Sequence, residues 1–134
     1  YAVNMNTTDY SSGITLTSGS RMTVAYSGLY NVQFSLQLSN LANNTVDVDV
    51  WFRKNGSDIS NSNSSFGLAP RKSATDPFHV IGSLNFFVQV NAGDYIELVW
   101  SSTSTNVSLT TFAAGTSPTR PAIPCAILTV SQVA

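Results

Sequence analysis

The run 28–38 constrains the fold more than any other stretch of the chain. Tyr30, Val32, Phe34, Leu36 and Leu38 take every second position there, with Asn31, Gln33, Ser35 and Gln37 between them. A period of two gathers the apolar set on one face of a strand, and a helix cannot segregate it. The run predicts a central strand whose inner face seeds the core. Its outer face, made of amides and a hydroxyl, suits water or another subunit.

The same alternation recurs downstream. Val46, Val48, Val50 and Phe52 alternate with Asp47, Asp49, Trp51 and Arg53, and Lys54-Asn55-Gly56-Ser57 follows at once. Asn-Gly between extended segments is a strong hairpin signal, because both central residues of a type I′ turn need positive φ. Leu84, Phe86, Val88 and Val90 predict another strand, with Phe87 on its opposite face; 91–94 reads as a turn. Ile96, Leu98 and Trp100 then point inward, opposite Tyr95, Glu97 and Val99. Weaker strand signals lie at Ile14 and Leu16, Met22 and Val24, Phe78 to Ile81, Val107 and Leu109, and over 123–133. Residues 61–77 read as a long polar loop, and such loops tend to carry function or assembly contacts. Residues 115–121 read as a second, breaker-rich loop. No helical period exceeds a turn.

The 134 residues therefore fit one all-β domain, 1–134, with 1–20 as an extended arm or edge strand suited to lying on a neighbouring subunit. The chain opens at Tyr1 without an initiator Met, as a piece of a longer protein would. Only 10% of residues are charged and the net charge is −1, with Arg21, Arg53, Lys54, Arg71, Lys72 and Arg120 scattered. No basic stripe exists to track phosphates, which argues against nucleic acid. So low a charge content points instead to surface covered by partners. Cys125 is the only cysteine, so no internal disulfide is available. Five Asn-x-Ser/Thr sequons are what a chain rich in these residues produces by chance. No apolar run approaches the roughly 20 residues of a membrane span, so no membrane insertion is expected.

Candidate chemistry is sparse. Asp47 and Asp49 share one strand face at roughly 7 Å between Cα atoms. Paired carboxylates can serve a glycosidase or ligate Ca²⁺. With no third carboxylate near in sequence, they read better as solvent-facing spacers that discourage edge pairing. His79 is the sole histidine and lacks a second metal ligand nearby. Cys125, between Pro124 and Ala126, reads as a small apolar residue without a cationic activator. Neither a catalytic nor a metal site is expected, and no cofactor. Trp51 with Arg53 is a candidate sugar platform or interface anchor. Phe66, Arg71 and Lys72, in the 61–77 loop, extend that candidate ligand or partner surface. Phe87, Tyr95 and Val99 are large residues on the outward faces of two adjacent strands, and such patches mark interfaces. Ile127, beside Leu128, suggests a strand covered on both sides.

Three motifs in order carry a resemblance. Gly28-Leu29-Tyr30-Asn31-Val32-Gln33-Phe34 resembles the Gly-x-Tyr strand of the C1q/TNF-like jelly roll. Val48-Asp49-Val50-Trp51-Phe52-Arg53-Lys54-Asn55-Gly56 resembles that family's apolar strand ending in Lys-Asn-Gly. Val90-Asn91-Ala92-Gly93-Asp94-Tyr95-Ile96-Glu97-Leu98 resembles its Gly-Asp strand. The resemblance covers roughly 28–130 and implies an antiparallel jelly-roll sandwich of about ten strands that forms a tight homotrimer. Low charge, abundant Asn, Ser and Thr, and the phrase from Pro121 to Val133 are most similar to jelly-roll modules of tailed-phage virion proteins. That likeness implies a non-enzymatic structural protein at the particle surface, decorating the capsid or forming a fibre domain. Its partners would be other capsid or tail proteins. The alternative it implies is a receptor- or carbohydrate-binding tip of a tail fibre, contacting host surface glycan. There is no collagen-like Gly-X-Y stalk, no disulfide and no acidic Ca²⁺ cluster, so receptor contacts and metal are not carried over. In this reading Tyr30, Phe34, Phe86 and Trp100 are core, and Phe87, Tyr95, Val99 and Ile127 form the subunit interface.

Overall fold

The computed structural model describes residues 1–134 and contains twelve strands and no helix. In chain order these are β1 (Ile14–Thr17), β2 (Arg21–Val24), β3 (Gly28–Asn40), β4 (Val46–Lys54), β5 (Ser57–Asp58) and β6 (Ser64–Leu68). There follow β7 (Phe78–Val90), β8 (Tyr95–Ser102), β9 (Val107–Leu109), β10 (Gly115–Thr116), β11 (Thr119–Arg120) and β12 (Ala126–Gln132). All pairings are antiparallel. No helix is long and apolar enough to cross a membrane.

Two sheets hold the core between them. One has the order β1-β2-β8-β4-β5, with β6 also on β4; the other has the order β12-β3-β7, with β9 also on β3. The alternating run becomes the middle strand of the second sheet. Its Tyr30, Val32, Phe34, Leu36 and Leu38 are each 1% exposed or less. From the first sheet Val48, Val50, Phe52, Ile96 and Leu98 meet them, all fully buried. The rings of Phe34 and Phe52 pack edge to face with centroids 5.8 Å apart, and Phe52 stacks on Phe86 at 6.0 Å. Edge-to-face and offset stacking suit the aromatic quadrupole and help fix the spacing of the two layers. Trp100 is half-buried at the core margin, 6.0 Å from the ring of Tyr1.

The two sequence turns meet in space. Asn55 and Gly56 take positive φ (53° and 83°), as a type I′ turn requires. Asn55 Nδ2 donates to Asp94 Oδ1 at 2.8 Å, and the Tyr95 N–H donates to Asn55 Oδ1 at 3.0 Å. The Lys-Asn-Gly hairpin is thereby fastened to the Gly-Asp turn.

Several expectations need correction. The first five residues of the arm lie on their own chain. The Val3 N–H donates to the Leu98 carbonyl, the Trp100 N–H to the Tyr1 carbonyl and the Met5 N–H to the Gly19 carbonyl. Val3 enters the core at 3% exposure. This is so because β2 pairs with β8 only at Tyr95 and Ile96, leaving the rest of that edge open to the arm. The 61–77 loop is interrupted by β6, whose Phe66 and Leu68 alternate and face the core. The segments around Phe78 and Val88 are one continuous strand, running through Gly82. A side chain at Gly82 would press on Leu38 Cδ1 at 3.0 Å, so glycine there makes room for the core. The 115–121 loop holds the small β10–β11 hairpin.

Candidate functional site

The turn at 91–94 carries the chain from one sheet to the other, so β7 and β8 are neighbours in sequence but not in space. This splits the expected interface set. Phe87 and Ile127 project from the outer face of the four-stranded sheet, at 55% and 52% exposure. Tyr95 and Val99 lie on the opposite side of the molecule, on the outer face of the six-stranded sheet. Val99 is not an exposed patch residue: it is 1% exposed, between Trp51 on β4 and Ala2 of the arm. Tyr95 is half-buried, with the Arg21 guanidinium 4.3 Å over its ring.

The outer face of the four-stranded sheet is uncharged, mixing amides and hydroxyls with apolar side chains. Asn31, Gln33, Ser35 and Gln37 form its middle row, flanked on β7 by Ile81, Ser83, Asn85 and Phe87 and on β12 by Ile127, Thr129 and Ser131. Asn31 Nδ2 donates to Asn85 Oδ1 at 2.5 Å. Ile81 is 59% exposed. Strands β3, β7, β9 and β12 contain no Asp, Glu, Lys or Arg. His79, at one end of β7, is exposed and packs 5.3 Å from the ring of Phe112.

The outer face of the six-stranded sheet is charged. It presents Arg21, Asp47, Asp49, Arg53 and Glu97, with Asp58 on the edge. Asp58 Oδ1 accepts from Arg53 Nε and from Trp51 Nε1, both at 2.7 Å. These two donors, Arg53 first, hold the Asp58 carboxyl below the usual carboxylate range. Trp51 and Arg53 are thus brought together as expected from their strand spacing. Their polar edges are engaged with Asp58, a partner that the hairpin supplies and the spacing could not name.

The other candidates scatter. Phe66 points inward, its ring edge-on to Phe34 at 6.4 Å, because it belongs to the core face of β6. Arg71 and Lys72 lie at the end of the sandwich near the 41–45 turn, where the Arg71 N–H donates to the Ala42 carbonyl. Asp47 and Asp49 sit side by side along β4 opposite Gly67 and Ser65, and no His, Cys or further carboxylate gathers with them. Cys125 is half-buried, and its carbonyl accepts from the Gln37 N–H.

Fold and faces together define an all-β, sandwich-like domain with one charged and one uncharged outer surface. Compared with known proteins, the chain matches no family model and no curated sequence at a significant level.

Proposed function

We propose that this chain is a non-enzymatic structural domain of a tailed-bacteriophage particle, a C1q/TNF-like jelly roll that assembles as a homotrimer and decorates the capsid or forms a fibre domain. One observation carries the assembly: 36 residues in the four strands of one sheet include no charged side chain, while that sheet's outer face exposes Ile81, Phe87 and Ile127. Desolvating such a face on association costs far less than desolvating one studded with ions. The jelly-roll reading is supported by strand order. Strands β2, β8 and β4 alternate with β3, β7 and β12 between two facing sheets, as Greek-key connections require. The meeting of the Lys-Asn-Gly and Gly-Asp turns is a further point of support. The phage assignment rests on the likeness read in the sequence.

Analytical ultracentrifugation at micromolar concentration should give three times the mass of the chain. A monomer would remove the trimer. Labelling particles with an antibody to this domain should mark the capsid or a fibre, and unlabelled particles would remove the virion role.

A second reading, a receptor- or glycan-binding tip, is favoured by the polar cleft at the end of the sandwich where Arg71 lies. Failure to bind host cells would count against it without touching the trimer.

A further inference from the structure

At the end of the sandwich where the 41–45 and 103–106 turns meet, the surface sinks into a cleft of about 760 Å³. Its polar lining includes Asn43, Asn44, Ser104, Asn106, Asp47 and Arg71. The side chains of Asp47 and Arg71 make no hydrogen bond within the chain, and the one ion pair in the molecule, Arg53–Asp58, lies elsewhere. A free acceptor and a free donor of opposite charge therefore face one cavity without neutralising each other.

The cleft has a rigid floor. Asn40 is fully buried, and its side chain ties three segments: Nδ2 donates to the Asn44 carbonyl at 3.1 Å and to the Ala69 carbonyl at 2.9 Å, while Oδ1 accepts from the Ala42 N–H at 2.9 Å. The Leu41 N–H donates to the Asn106 carbonyl at 3.0 Å, and the Asn106 N–H donates to Ser104 Oγ at 3.1 Å. The turns that carry the polar groups are held before any ligand arrives, which lowers the ordering cost of binding. Beside the cleft, a smaller recess of about 290 Å³ is lined by Ser39, whose buried Oγ is the one such side-chain atom without a partner.

We infer that this cleft binds a neutral saccharide segment. Amide, carboxylate and guanidinium side chains together can both donate to and accept from sugar hydroxyls, as a few polar groups fix orientation in ligand sites generally. Asp47 and Arg71 are the two charged residues of the lining and sum to zero, so the cleft carries no net charge that would favour a polyanion. The inference rests on the glycan-binding reading and not on the trimer, because one chain builds the whole cleft.

The test is an amide NMR titration of the folded protein with four neutral trisaccharides, of glucose, galactose, N-acetylglucosamine and rhamnose, at about 10 mM, a range suited to weak single-site binding. At least one should shift the amides of 41–47, 71 and 103–106. Asp47→Asn and Arg71→Gln should each weaken that binding by roughly tenfold with the remaining spectrum unchanged, the loss expected for one charge-assisted hydrogen bond. Trp51→Ala should leave it intact. Titrations that move none of these amides, or variants that bind as wild type, overturn the inference. If host-cell binding is lost in Trp51→Ala but kept in Asp47→Asn, the cleft proposal falls while the glycan-binding tip survives.

Discussion

The two outer faces of this sandwich are built on the same backbone pattern and differ in what fills the alternate positions. On the six-stranded sheet the outward residues of β4 are Asp47, Asp49, Trp51 and Arg53; on the four-stranded sheet those of β3 are Asn31, Gln33, Ser35 and Gln37. Inward residues of both are equally buried. Folding a single chain needs only the inward half of the pattern. The outward half is free to answer to solvent or partners, and here it gives the two faces different chemistry.

The largest effect should come from removing that difference. Phe87→Arg with Ile127→Arg puts two charges on the uncharged face, and sedimentation should show the assembly reduced to monomer with circular dichroism unchanged. Thr17→Arg with Ser101→Arg, on the other face, should leave the mass as it was. Equal behaviour of the two pairs would erase the functional contrast. Next in size, Phe34→Ala and Phe52→Ala remove facing rings from the two sheets, and each should cost about 3–5 kcal/mol in urea unfolding. They are best compared in the monomeric background, where mass action does not enter. Markedly unequal costs would mean that the sheets do not share one core. Gly56→Ala forces a side chain into positive φ at the hairpin tip on the charged side and should cost about 1 kcal/mol.

The smallest effect is that of acid, and it belongs to the charged side. Hydrogen bonds from Asn55, then from the Asn91 N–H, with Lys54 nearby, hold the Asp94 carboxyl below its ordinary range, as Arg53 and Trp51 do for Asp58. A carboxyl depressed in the folded state stabilises above its unfolded pKa, near ~3.9, and that contribution is lost as pH falls through the lower folded value. Melting temperature should drop modestly in that window. Asp94→Asn should show a shallower drop, and an unchanged slope would show that the Asn55 contact does not matter to stability.

Much of the fold was legible because burial imposes its own period. The inward sets of β3, β4 and β8 are those the alternation predicts, and the Asn55-Gly56 turn falls where its positive φ demands. Strand β6 was hidden by its Ser and Gly content, although Phe66 and Leu68 already stood two apart. What periodicity cannot carry is which sheet a strand joins. That gap misplaced Tyr95 and Val99 beside Phe87, since the alternation of two consecutive strands is the same whether the turn between them stays in one sheet or crosses to the next. The end cleft was equally hidden: Asp47, Arg71 and Asn106 are far apart in the chain, and their loops are drawn together by buried Asn40, by the Arg71 N–H to Ala42 carbonyl bond and by the Leu41 N–H to Asn106 carbonyl bond.

Strand β7 pairs with β3 along one edge and with nothing along the other. Over its thirteen residues the open edge has no proline or charge of its own, and its single side-chain guard is Lys54 Nζ, 3.4 Å from the Gln89 carbonyl. Exposed edges of this length invite strand addition and aggregation, and lysine is a common deterrent. A newly made chain is thus at risk of strand addition on the very strand that bears Phe87. If the uncharged face assembles as proposed, yield of soluble protein should depend on how fast chains find each other, and Phe87→Arg, while breaking that assembly, would also protect the edge.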